Sequence, residues 1–343
     1  MVKQIKTIII IASLLLATNA VAQVDSSRVT KAFGNLDISV TAGSTGVGLE
    51  LAMPLSNVFS VRTGYQFMPK FTYNMDFGIQ VGETAESKYD EQGNRVQTKF
   101  DRLANKMKEI TGQEVDDNVT MKGEPTFHNW HLLVDVRPFR NKNWHFTTGF
   151  FVGPSKIAKA YNATEEMQSL LAMNMYNNIH DKVYNREPIF GDTYLSPYDE
   201  PGKTILEFGR MGIYVGEYKN EFKTDEEGNV MLDSNGNPIH KPYFMEPDND
   251  GMVKATMKVN SFKPYVGFGY GGRLSKRNDD YHISFDCGVM FWGGNPKVYT
   301  HDGTEIVNDI INHIGSVDDY IKIIKKFEVF PVLNLKLTKR IHF

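Results

Sequence analysis

Three groups of side chains in this sequence have the types and spacing for chemistry. His282, Ser284 and Asp286 stand two apart, an imidazole, a hydroxyl and an acid on one parity. A nucleophile works only when its base lies within hydrogen-bond reach. Residues two apart on a strand share a face but point side by side, so they do not converge on one substrate atom. No catalytic residue is assigned. Asp233, Asn235 and Asn237 place oxygen ligands at the first, third and fifth positions of a calcium-loop pattern. Such a loop needs Gly sixth and Glu twelfth, where this chain has Pro238 and Phe244. No metal or cofactor is expected, and residues 225–229, 233–237 and 248–251 read as turns. The third group is a set of charges: Glu50, Arg62, Asp135, His145, Asp286, Lys336 and Arg340, with Lys263. Each lies in a run that alternates apolar and polar residues, on the polar parity. Glu50 with Arg62, and Asp135 with His145, flank short turns where the two members of each pair would face one another. The set fits either a charged channel or an interior filled by charges that pair with one another.

The elements that must position these charges are strands. Residues 36–42, 47–53, 59–67, 128–136, 144–152, 262–270 and 281–291 alternate with a period of two, as does 333–343, the pattern of a strand with one apolar face. Short polar turns at 43–46, 54–57, 138–143 and 274–280 join them in pairs. The other connections, 69–126, 154–261 and 293–327, are long. Their apolar stripes predict helices over 98–110, with Thr98 and Asp101 as a cap pair, over 164–183, and over 318–326. Residues 71–81 alternate as well and extend a strand outward. If they and 205–215 both span, the strand count rises from eight to ten.

The first 22 residues read as an export signal. Lys3 and Lys6 precede an apolar run at 7–16, and Ala20-Val21-Ala22 precedes Gln23. Residues 23–343 then form one domain. The single cysteine, Cys287, leaves no lipidated cysteine after the signal and no internal disulfide. A net charge of −3 gives no nucleic-acid footprint. No later run reaches the ~18 apolar residues of a spanning helix, and the only other spanning structure is a closed barrel. The mean hydropathy of −0.36 is uninformative, because alternation averages a barrel strand away.

Phe343, Ile341, Leu337, Leu335 and Leu333 share one parity, and the sequence stops on the aromatic residue. This resembles the closing strand of Gram-negative outer-membrane β-barrel proteins, small OmpA-like or porin-family barrels in particular. Outward aromatics agree: Phe59, Trp144, Tyr281 and Phe343 at one level, and Phe67, Trp130, Phe262 and Phe291 at the other, fit two interfacial girdles. The resemblance implies an all-β transmembrane barrel of eight antiparallel strands with long, partly helical extracellular loops. It implies outer-membrane lipid and the barrel-assembly machinery as partners, with Phe343 as the assembly signal. The loop mass points to a non-enzymatic anchor presenting a folded cap to an unidentified surface ligand, or serving envelope integrity. A narrow porin is the alternative, and a lipid-modifying enzyme a more distant one. If Phe343 is the assembly signal, Phe343→Ser lowers the inserted fraction several-fold without blocking export. Quantifying the protein in outer-membrane and periplasmic fractions tests this; unchanged insertion would remove the assignment.

Overall fold

Alternation with a period of two gives each strand one apolar and one polar face, and closing the sheet hides the polar faces inside. The computed structural model describes residues 34–84, 86–111, 114–275, 280–307 and 328–343. The export signal and the helix expected over 318–326 lie outside them. In chain order the elements are β1 (Asn35–Gly43), β2 (Gly46–Pro54), β3 (Phe59–Phe67), β4 (Tyr73–Val81), α1 (Lys99–Thr111) and β5 (Asn118–Pro125). Next come β6 (His128–Val136), β7 (Trp144–Val152), β8 (Lys156–Asn162), α2 (Met167–Asn185), α3 (Gly202–Phe208) and β9 (Met211–Phe222). The last are β10 (His240–Met245), β11 (Lys254–Lys258), β12 (Phe262–Arg273), β13 (Tyr281–Phe291), β14 (Lys297–Thr300), β15 (Glu305–Val307) and β16 (Val329–His342).

Eight of these strands close into an antiparallel barrel in the order β1-β16-β13-β12-β7-β6-β3-β2. They are the eight alternating runs of the sequence. Closure runs through β1 and β16, in register from Asn35 opposite His342 to Gly43 opposite Asn334. The ten-stranded alternative is corrected: β4 carries 73–81 into a different sheet, and 205–208 belongs to α3.

That second sheet goes further than the sequence reading, which has 71–81 and part of 154–261 extending the sheet outward but not a sheet of its own. It has eight strands in the order β10-β9-β15-β14-β11-β8-β5-β4. Its run β4-β5-β8-β11-β14 repeats the order β3-β6-β7-β12-β13 one tier higher, because each barrel strand continues past a short break into its counterpart. Backbone bonds cross the breaks: Met68 N–H donates to Phe127 O (2.8 Å), Thr126 N–H to Ile157 O (2.8 Å) and Val259 N–H to Ser155 O (2.8 Å). The run does not end on open edges. β4 pairs with β9 at Met211–Ile213 and β15 pairs with β9 at Glu217–Tyr218, so both ends meet on one strand. The result is a collar above the barrel.

The collar has its own core. Phe77, Ile79, Val119, Met121, Met211, Ile213 and Met245 from the sheet pack on Phe100 and Leu103 of α1 and on Leu170, Met173 and Tyr176 of α2. Thr98 caps α1 as expected: its N–H donates to Asp101 Oδ2 (2.7 Å), and Asp101 N–H donates to Thr98 Oγ1 (3.2 Å). Asn177 pins α2 to β9, donating to Met211 O and accepting from Met211 N–H, both at 2.8 Å. Burial raises the Tyr176 and Tyr243 phenols above the ordinary tyrosine range. Met173 is fully buried in this core, so Met173→Ala should cost the collar about 2–5 kcal/mol. Faster proteolysis of the external segments, with an unchanged heat-dependent gel shift of the barrel, is the expected result.

Candidate functional site

Six barrel strands send charges to one level of the lumen. Arg62 of β3, only 2% exposed, sits at the centre. Its Nη1 donates to Asp286 of β13 (2.8 Å) and Glu50 of β2 (3.3 Å), Nη2 donates to Thr147 of β7 (3.2 Å), and Nε lies 3.1 Å from Asp135 of β6. Lys336 of β16 adds a second cation, 3.0 Å from Asp286 and 3.4 Å from Glu50. Glu50 also accepts from His131 Nε2 (3.0 Å), and Asp286 from His145 Nε2 (2.8 Å). Thr147 Oγ1 donates to Asp135 (2.8 Å). Every carboxylate therefore has a cation and at least one further donor, which buried charges require. Gly269 of β12 makes the room. A Cβ there would lie 2.2 Å from Asp286 Oδ1 and 2.5 Å from His145 Nε2.

Of the eight residues singled out in the sequence, six converge. Glu50 and Arg62 meet as expected. The second expected pair does not form: His145 bonds Asp286 on a strand far along the chain, and Asp135 serves Arg62. Arg340 stands apart from the cluster, its guanidinium forked onto Asp37 across β1 and β16 (2.7 and 2.8 Å). Lys263 also stands apart, fully buried, donating to Asn129 Oδ1 (3.0 Å) and Ser261 O (3.2 Å). His131 and Thr147 belong to the network and were not singled out. Their signal was present: both lie on the polar parity, and His131 is directly opposite Gly64. Asp286 is committed to Arg62, Lys336 and His145, so the His282, Ser284, Asp286 series forms no relay with it.

Above the charges, apolar side chains share the lumen with the buried polar groups Gln66, Asn129 and Lys263. Leu133, Phe151, Tyr265, Met290 and Val332 fill the bore, and Phe127, Trp292 and Phe330 lie over them. Trp292 meets Phe330 edge-on at 5.1 Å, and Phe151 meets Tyr265 edge-on at 5.5 Å. The calcium-like turn is occupied by its own backbone. Asp233 Oδ1 accepts from Asn235 and Asn237 N–H, both at 2.8 Å, and the Asn237 bond is the main reason its carboxyl sits below the usual range. Among the described residues no cluster of three His, Cys, Asp or Glu side chains has the arrangement to hold a metal ion.

The exterior is the reverse of a soluble protein's. Val40, Leu49, Leu51, Phe146, Phe268, Phe285, Leu333, Leu335 and Leu337 point outward from the barrel and are exposed. Tyr65, Phe67, Trp130 and Phe262 ring them toward the collar, and Trp144, Tyr270, Tyr281 and Phe343 ring them at the short-turn end. Trp144 packs edge-on against Tyr270 at 4.9 Å, and Phe150 lies 5.1 Å from Phe262. β1, β2, β3, β6 and β7 each have nine residues, the length at which a tilted strand crosses a hydrocarbon core. The chain is a transmembrane β-barrel of the outer-membrane type. Among solved structures, the barrel is similar to Acinetobacter baumannii CarO2 at 12% identity and a TM-score of 0.35, covering 92% of this chain and 100% of that one. It is similar to Acinetobacter baumannii CarO at 12% and 0.33, covering 90% and 97%. A major outer membrane protein from Thermus thermophilus follows at 13% and 0.29, covering 90% and 98%. No protein-family model and no curated protein matches the sequence.

Removing Arg62 would leave Glu50, Asp135 and Asp286 in the bore, where Lys336 reaches only Glu50 and Asp286. Arg62→Ala should therefore destabilise the barrel by about 3–5 kcal/mol, read as a lower urea midpoint in lipid vesicles. A midpoint within error of the parent would show that the network is not structural.

Proposed function

We propose that this protein is a non-enzymatic anchor, a closed barrel that holds a folded extracellular collar for surface binding or envelope integrity. The observation that carries the reading is the blocked lumen. A buried layer of ion pairs around Arg62 lies under an aromatic layer of Phe127, Trp292 and Phe330, and eight strands enclose a bore that side chains are able to fill. The collar supports the outward role. It has its own core, and at the end of α2 and in the segment before α3 it exposes Tyr184, Phe190, Tyr194 and Tyr198. Aromatic side chains are enriched where proteins meet partners.

The barrel ladder takes no residue from 160–255, whereas β9 and β10 lie within that span. Replacing 160–255 with a short Gly/Ser linker should leave a membrane-inserted, heat-modifiable barrel and dismantle the collar. Planar-bilayer recordings of the intact protein decide between anchor and narrow porin. The expected result is no stable open state, and steady single-channel currents would overturn the anchor reading. Hydrolysis of lipid A or phospholipid that disappears in Ser284→Ala would identify an enzyme instead.

A further inference from the structure

The bore is filled at the level of Arg62 but not below it. A polar cavity of about 310 Å³ opens between that layer and the short-turn end, the periplasmic side of such barrels. Its floor holds Arg62 and Lys336 with their carboxylates, and its wall carries the hydroxyls of Ser39, Ser60, Ser284 and Thr338. The floor pairs two cations with Glu50, Asp135 and Asp286. It has no surplus positive charge and does not attract an anion.

The rim does. Arg137, just past the end of β6, and Lys142 of the following turn both line the cavity. Of the five N–H donors of a guanidinium, Arg137 uses one, from Nη1 to Ser60 Oγ (2.9 Å). Its nearest carboxylate oxygen, on Asp135, is 3.8 Å away, and that carboxylate already serves Arg62 and Thr147. Lys142 Nζ donates to the Arg137 carbonyl (3.1 Å), which brings the ammonium onto the same corner. Burial lowers the Arg137 pKa and the neighbouring Arg62 and Arg340 lower it further, while Asp135 and Asp37 offset part of that. An anion at this corner would take up guanidinium donors that Asp135, already shared with Arg62 and Thr147, does not engage. Two cations with spare donors suit a phosphate, and the hydroxyl-lined wall below suits a hydroxylated body.

We propose that the periplasmic vestibule binds a soluble phosphorylated sugar, its phosphate held by Arg137 and Lys142 and its hydroxyls directed into the bore. The test is titration calorimetry on the full chain in detergent, in phosphate-free buffer, with glucose 6-phosphate, glucose and inorganic phosphate as probes. Glucose 6-phosphate should bind at one site, inorganic phosphate more weakly, and glucose without measurable heat. Lys142→Gln touches only a backbone carbonyl and should remain folded by gel shift, with affinity for glucose 6-phosphate about tenfold lower, as expected for one charge-assisted bond. Arg137→Gln should lower it further, and Lys339→Gln, on the outer face, should leave it unchanged. No heat with glucose 6-phosphate on folded protein would overturn the proposal. Equal affinity in the parent and in Lys142→Gln would do the same, as would an equal loss in Lys339→Gln, which would mark diffuse surface charge.

Discussion

A guanidinium inside a barrel that is itself wrapped in hydrocarbon has little water to fall back on. Arg62 must find its counter-charges within the bore, and Glu50, Asp135 and Asp286 supply them from three different strands. The arrangement constrains the whole sheet. The strands must close in one register for these oxygens to converge, because a slip of one residue would turn each of them outward into lipid. The cost of an unpaired charge there is what makes the register specific. Gly269 belongs to the same constraint, since any side chain at that position would occupy the space of the Asp286–His145 bond.

Above the membrane the constraint changes. Water can satisfy an open strand edge there, so the outer tier need not be a second closed barrel of the same eight strands. Five of its strands inherit their order from the barrel below, and β15 and β9 complete the circuit in place of β16, β1 and β2. β1 and β2 turn back at Gly46, where φ is +100° and a Cβ would lie 2.1 Å from Phe67 O. This leaves a gap in the upper wall on that side, and α2, α3 and β9 close it from the long segment between β8 and β11. The layer of Phe127, Trp292 and Phe330 sits where the tiers meet. Phe127 and Trp292 stand in the breaks between the tiers, Phe330 lies near the start of β16, and the three rings pack together there.

The two mouths of the bore are therefore unlike. The collar end is packed, with aromatic and aliphatic side chains around the buried Lys263. The short-turn end is polar, open and edged with cations, and its Asp37–Arg340 fork ties the first barrel strand to the last.

Much of the barrel was legible from one chemical regularity. Period-two alternation marks a strand and its two faces without any knowledge of neighbours, so the eight barrel strands, their inward charges and their outward aromatic rings could be read from residues 36–67, 128–152, 262–291 and 333–343 alone. Thr98 with Asp101 was legible for the same reason, because a cap is a local bond. The collar strands were mostly hidden. β5, β8, β11 and β14 are short, and with one face on a helix-covered core they show no long alternation. Their identity as strands comes from the barrel strands that they prolong. Partnership was hidden too. Parity placed His145 in the lumen, but whether it meets Asp135 beside it or Asp286 across the bore depends on barrel closure and on the space left by Gly269. The sequence by itself determined which residues face inward, because that follows from backbone geometry. Tertiary structure decided which of them touch, because only closure brings distant strands within bonding distance.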